Sequence, residues 1–411
     1  MRIAMILLAF PELSETFVLN QITDMLRRGH DVQIFAFSRR YVSRDAIHGD
    51  IERFGLLQRT RYIGHRQIKK KKYRAVAIFL DAVRSFLRSP KKALALLTAR
   101  KHAPQQWAFR FVPLVCALME TKKFDVLHCQ FGTLGIIGAM CKETDIFQGS
   151  VVVSFRGADI TRGIQGHGEE LYSYIGHHVD RLLPVCNYFA DKLIAHDCPE
   201  EKISVLRSGI DLDDFPYSER SHPENGVIRF LSVCRLVEKK GLWYSLQAFS
   251  KVYQHHPNAR FTIVGDGPLL AKLRELVTAL GITHVVHFEG RKSREQLLDY
   301  YRNHHLFVGA SVTSESGEME GIPNALKEAM ACGMPVISTF HSGIPELVVP
   351  GESGILVPEK DVAKLAEAMR RLLEQPETWV NMAKKARKVI EDQYDLKLLN
   401  DRLETIYTQV C

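Results

Sequence analysis

The chain has 411 residues, too many for one compact core and suited to two domains of ordinary size. With 46% hydrophobic and 25% charged residues it has a globular composition, which excludes a disordered or fibrous chain. The formal net charge of +8 is unevenly placed: residues 65–103 carry twelve Lys or Arg against one Asp, leaving the rest near −3. No apolar run reaches the length of about 18 residues that a membrane-spanning helix needs. The eight cysteines form no closely spaced pair, so they read as free thiols of a reducing compartment, not a disulfide frame or a zinc site. Of the 17 histidines, three adjacent pairs (177/178, 255/256 and 304/305) lack a third ligand, and they too give no metal site.

Residues 1–10 hold one Arg and an apolar run that superficially resembles a signal peptide. No small-residue cleavage site follows, and Pro11, Glu12 and Ser14 come at once, so residues 2–9 read as a buried first strand. A helix is expected from Ser14 to about Arg28, with Ser14 as N-cap and Glu15 in the first turn; Gly29 ends it. Strands follow at 32–37, 124–128, 150–155 and 182–186, with helical patterns between most of them. Such alternation predicts a parallel sheet covered on both faces. After a polar stretch through Asn225-Gly226 the pattern restarts, with strands at 228–234, 260–264, 285–288, 305–309 and 335–338. Residues 381–411 are helical with no further strand. The α/β chain therefore divides into two doubly wound, Rossmann-like domains, 1–206 and 207–385, expected to face a central cleft. Residues 386–411 form a C-terminal helix expected to cross back to the N-terminal domain. Ligands of such sheets sit beyond the carboxyl ends of the strands, so site residues should lie in loops just after them.

The most informative loop follows the strand at 305–309 and contains Glu320-Gly321-Ile322-Pro323-Asn324, then Glu328 and Gly333. Pro323 suits the first helical position, where a missing N–H costs nothing. Amides around Gly321 to Ala325 would then face an anion such as a pyrophosphate, and Gly321 permits close backbone approach. Glu320 and Glu328 are placed to accept hydroxyl hydrogen bonds from a sugar and a ribose. The plain alternative is a capped helix with two solvated glutamates, which a single Glu would satisfy but the combined string does not.

This string resembles the Glu-x7-Glu signature of GT4-type retaining glycosyltransferases, which have the two-domain GT-B fold. The opening Phe10-Pro11-Glu12-Leu13-Ser14-Glu15-Thr16-Phe17 and residues 311–323 resemble, more narrowly, colanic-acid-type transferases of bacterial exopolysaccharide biosynthesis. The similarity runs from the first strand to the last helix. It implies transfer of a sugar from a UDP- or GDP-sugar, with no cofactor and no metal, to a glycan acceptor, lipid-linked at the cytoplasmic face of the inner membrane. In the loop after 228–234, Arg235-Leu236-Val237-Glu238-Lys239-Lys240-Gly241 matches a family pattern that puts Arg235 and Lys240 on the donor diphosphate. Fixed cations there stabilise the negative charge that grows on the leaving group. Lys239 reads as a surface residue of the same turn. Gly265, in the turn after 260–264, and Arg291, in the base-side loop, are weaker donor-site candidates; a tight turn explains Gly265 nearly as well. Ile322, Asn324 and Ser14 complete the donor set, Ser14 serving equally well as a simple helix cap.

In the N-terminal half the family more often has His-Gly-x-Asp, whereas this chain has Arg156-Gly157-Ala158-Asp159. Arg cannot act as a base at neutral pH but can stabilise charge. His128 is the nearest substitute, although a lone His at a strand end is more often structural. Asp211 and Asp213 form an Asp-x-Asp pair in a linker, where no metal is expected. Residues 65–103 read as a basic amphipathic insertion, with apolar positions 76, 79, 80, 83, 86 and 87 on one face, suited to an anionic membrane surface. No pattern supports nucleic-acid binding. The rival readings are another enzyme of the same fold, such as a sugar-nucleotide epimerase, and a non-catalytic membrane-associated partner of a glycan assembly complex.

Overall fold

The structure, a computed structural model, describes residues 1–12, 16–40, 49–63, 76–77, 80, 83, 105–121, 123–161, 163, 168 and 170–411. The chain forms two compact units. Unit 1 comprises Met1–Val185, Phe189–Leu206 and Asn400–Cys411; unit 2 comprises Cys186–Tyr188 and Arg207–Leu399. The last helix, Leu396–Val410, thus starts in unit 2 and ends in unit 1.

Each unit is built on a six-stranded sheet whose paired strands run parallel. In unit 1 these are β1 (Arg2–Leu7), β2 (Asp31–Ala36), β3 (Thr60–Tyr62), β4 (Val126–Cys129), β5 (Ser150–Phe155) and β6 (Arg181–Pro184), in the order β3-β2-β1-β4-β5-β6. In unit 2 they are β7 (Arg229–Val233), β8 (Arg260–Val264), β9 (Val286–Gly290), β10 (Leu306–Gly309), β11 (Val336–Thr339) and β12 (Ile355–Val357), ordered β12-β11-β10-β7-β8-β9. The central strands are buried along nearly their whole length, as in Ser150–Phe155, because helices cover both faces and leave no solvent side to alternate toward. Both orders reverse direction beside the first strand of the unit, and the crevice at that switch point is where ligands of this architecture bind.

The unit 2 core packs Phe249 against Phe230 and Phe261, with ring centroids 5.9 and 5.3 Å away. The buried Trp379 satisfies its indole N–H on the Leu372 carbonyl at 2.8 Å. Truncating a fully buried ring such as Phe249 to Ala costs about 3–5 kcal/mol.

Two strands lie outside the sequence expectation, β3 and β12. Each is a three-residue edge strand, too short to carry a periodic signal. The strand expected at 285–288 runs instead over Val286–Gly290.

Candidate functional site

The switch point of unit 2 lies between β7 and β10. The Ser232 hydroxyl at the end of β7 donates to the Val308 carbonyl of β10 at 2.6 Å. After β7 the chain makes a short turn over Glu238–Lys240 and ends it at Gly241. Gly241 has φ +64°, and a Cβ there would lie 1.7 Å from the Ala310 carbonyl oxygen. Only glycine permits this approach. The close packing sets the turn against the loop that follows β10, and the Val312 N–H donates to the Lys239 carbonyl at 2.9 Å.

That juxtaposition brings three charged side chains to one point. Lys240 Nζ lies 3.0 Å from Glu320 Oε2, and Lys239 Nζ lies 2.9 Å from Glu320 Oε1. Lys239 also pairs with Glu318 at 2.7 Å. Burial alone would raise the Glu320 carboxyl, but Lys240 and Lys239 outweigh it and hold it at about 2. Lys239 behaves in the opposite sense: burial lowers it, yet Glu320 and Glu318 leave it raised. Its side chain is only 12% exposed, so the surface position expected for it is incorrect. A Lys-Lys doublet does not say which lysine turns inward; the Glu238–Lys240 turn brings both to Glu320. Arg235 stands exposed one residue before the buried Leu236, and its guanidinium has no partner among the described residues.

Beyond Glu320, the buried Gly321 and half-buried Ile322 lead to Pro323. Pro323 is the N-cap, in an extended conformation (φ −63°, ψ 131°), and the helix begins one residue later than expected, as Asn324–Ala331. The amides of Asn324, Ala325 and Leu326 are therefore the first of the helix, and no earlier turn supplies their acceptors. Ser232, Cys234, Lys240, Ser311, Pro323 and Ala325 line one cleft at this end of the sheet. The site thus combines helix amides and the Lys240 ammonium, the elements of an anion site. On the helix, Glu328 accepts a hydrogen bond from the Tyr301 hydroxyl at 2.7 Å. Burial raises the Glu328 carboxyl against the opposing effect of that bond. Tyr301, 27 residues away, had no sequence signal.

The weaker candidates have plainer surroundings. Gly265 has φ +138°, and a Cβ would lie 1.8 Å from the Cys234 carbonyl oxygen, so backbone packing alone requires glycine there. Arg291 is exposed just after β9. Asp213 pairs with Lys397 at 2.9 Å, and Asp211 accepts the Asp213 N–H at 3.2 Å, so the Asp-x-Asp pair is engaged in local contacts.

In unit 1, β5 ends beside Arg156. Its guanidinium donates to Gln130 Oε1 at 2.6 Å and Gln21 Oε1 at 3.3 Å, and lies 4.2 Å over the Phe17 ring. The loop is held by Asp159, whose carboxylate accepts the N–H groups of Gly132, Arg156 and Gly157 at 2.8–2.9 Å. His128 is wholly buried, with Nδ1 2.6 Å from the Tyr407 hydroxyl and Nε2 2.8 Å from the Ser154 hydroxyl. Burial, and then the Arg156 charge, push its protonation down to about 3. These surroundings are those of a neutral core histidine with both nitrogens occupied. Ser14 and Glu15 lie outside the described residues. Of the 65–103 insertion, residues 76, 77, 80 and 83 are described; they are helical, and Val76, Leu80 and Val83 are exposed. Among the described residues no helix is long and apolar enough to cross a membrane.

Residues 14–214 match the family described as Glycosyltransferase Family 4, and residues 215–389 match Glycosyl transferases group 1. The chain is 33% identical to the amylovoran biosynthesis glycosyltransferase AmsK of Erwinia amylovora, covering 100% of both chains. It is 32% identical to a Salmonella typhimurium protein named as a colanic acid biosynthesis glycosyltransferase, WcaL, with 99% of each chain covered. Among solved structures, Anabaena Alr3699/HepE in complex with UDP-glucose aligns over 100% of both chains at a TM-score of 0.71 and 16% identity, a likeness of fold. The chain therefore belongs to the family 4, group 1 glycosyltransferases and has their two-domain GT-B fold.

Proposed function

We propose that this glycosyltransferase is a retaining, metal-independent enzyme that moves a sugar from a nucleoside-diphosphate sugar to a lipid-linked glycan acceptor in exopolysaccharide biosynthesis. The observation that carries the reading is Glu320, ionised between Lys239 and Lys240 four residues before the start of the Asn324–Ala331 helix. Lys240, Arg235 and those amides take the donor diphosphate. Glu320 accepts hydroxyl hydrogen bonds from the transferred sugar, and Glu328, oriented by Tyr301, accepts them from the ribose. Gly321, Ile322, Pro323 and Asn324 make the donor-binding loop, of which Pro323 lines the cleft, and Arg291 flanks the base.

In the reaction the bond from the sugar anomeric carbon to the phosphate oxygen breaks, and a bond to the acceptor oxygen forms on the same face. The acceptor proton passes to the departing phosphate. The transition state is oxocarbenium-like, and the charge left on the diphosphate is met by fixed cations and amides, which need no reorganisation. In unit 1, Arg156 supplies positive charge on the acceptor side, and His128 serves the core.

The exposed Val76, Leu80 and Val83, each helical and spaced four and three residues apart in sequence, support a peripheral position at the cytoplasmic face of the inner membrane, within a strongly basic segment. Incubation with a panel of UDP- and GDP-sugars and lipid-linked acceptors, read by mass spectrometry for transfer and by NMR for the configuration of the product and of the sugar nucleotide, tests the reading. Sugar transfer with the anomeric configuration kept is the expected result. Inversion would remove the retaining mechanism, and epimerisation as the main reaction would remove transfer altogether.

A further inference from the structure

His341 follows β11 and is wholly buried. Its ring meets the donor loop from behind: the main-chain N–H of Glu320 donates to His341 Nε2 at 3.0 Å. On the other side, His341 Nδ1 lies 2.6 Å from Glu359 Oε1. Because Glu320 brings a donor, Nε2 must be bare, so the ring proton sits on Nδ1 and points at the Glu359 carboxylate. Burial pushes His341 protonation down against the pull of Glu359, in keeping with a ring that carries one proton. Glu359 is itself fixed, since its Oε2 accepts the Thr313 N–H at 2.7 Å. One carboxylate thus holds both ends of the loop 313–320, directly at Thr313 and through the imidazole at Glu320. The other charged groups acting on His341 are Glu320 and Lys239, which pair with each other.

We infer that His341, held by Glu359, is a positioning residue that fixes the Glu320 backbone so that its carboxylate keeps its place at the donor sugar. This rests on the donor-site reading above. The ring itself touches no substrate. Its work is to hold a part-buried amide; without that bond the Glu320 backbone, and the side chain with it, would be free to turn away from the lysines. Neither Glu-x7-Glu nor the Arg235–Gly241 turn contains these two residues, so the donor site extends to β11 and to the loop after β12.

The test uses the full-length protein and three variants. His341→Leu removes both hydrogen bonds. His341→Gln keeps an acceptor oxygen for the Glu320 amide, and Glu359→Gln removes the charge that orients the ring. With the nucleotide sugar that the parent turns over, His341→Leu should lower kcat about 10- to 100-fold, the loss expected when a substrate-positioning group is misplaced by about 1 Å. Binding of UDP or GDP alone, held by Lys240, Arg235 and the helix amides, should stay within about 3-fold. His341→Gln should regain most of the loss. Hydrogen exchange in the 313–320 segment should speed up in His341→Leu and slow again in His341→Gln.

Turnover and exchange unchanged in His341→Leu would overturn the inference. So would a fall of kcat and nucleotide affinity together that Gln does not repair. If His341→Leu does not fold, Glu359→Gln decides: faster exchange at 313–320 supports the relay, and parent-like exchange refutes it. Exchange is read without any substrate, so a parent that transfers no sugar would fail the functional reading alone and leave this comparison valid.

Discussion

Replacing Glu320 by Gln removes one negative charge from between two ammonium groups and leaves the shape of the side chain almost unchanged. The carboxyl is held at about 2, against 4.5 for an ordinary Glu, by Lys240 and Lys239 acting over the opposing effect of burial. A shift of that size corresponds to about 3 kcal/mol of stability. Its sign follows from the depressed folded value: the stabilisation is fully present above the unfolded value and is lost as pH falls toward the folded one. At pH 7 the parent should therefore exceed Glu320→Gln by about 3 kcal/mol, and at pH 3 by roughly half as much. Urea unfolding followed by tryptophan fluorescence measures this, because Trp243 and Trp379 both lie in unit 2. A gap that is absent at pH 7, or that stays constant down to pH 3, would show that the lysines do not hold Glu320 ionised.

Lys240→Met should lower kcat by about 10²–10³ while the protein stays folded, since it removes a fixed cation from the leaving diphosphate; steady-state kinetics with thermal unfolding as control would show it. His128→Phe strands the Tyr407 and Ser154 hydroxyls in the core and should cost about 2–4 kcal/mol in urea unfolding, yet leave turnover per folded molecule within about 3-fold. A large loss of turnover without loss of stability would instead put His128 at the reaction. Leu80→Asp with Val83→Asp should reduce flotation with vesicles containing anionic lipid by at least about 5-fold, and unchanged flotation would argue against a membrane role for this face.

The donor half was legible in the sequence because its parts are contiguous. Glu320, Pro323, Asn324 and Glu328 fall within one loop and one short helix, and Arg235 and Lys240 within one short stretch, so the resemblance to a family pattern could single them out. Residues that arrive from elsewhere in the chain left no such mark. Tyr301 reaches Glu328 across 27 residues and His341 reaches Glu320 across 21, contacts that exist only in the folded unit. Lys239 was misplaced because a lysine doublet in a tight turn has no periodicity, and the geometry of Gly241 decides where its ammonium goes. His128 was ambiguous for a related reason: its neighbours Ser154 and Tyr407 lie 26 and 279 residues away. The sheet architecture was readable from long apolar strands, whereas the edge strands β3 and β12, at three residues each, were not.

The central claim is that the cluster of Glu320, Lys239 and Lys240 serves sugar transfer from a nucleoside diphosphate. The most direct test is product analysis by mass spectrometry, comparing the parent and Glu320→Gln on UDP- and GDP-sugars with lipid-linked acceptors. The parent should add one sugar to an acceptor and release the nucleoside diphosphate, and Glu320→Gln should lose that product while remaining folded. Equal product from both proteins would contradict the claim.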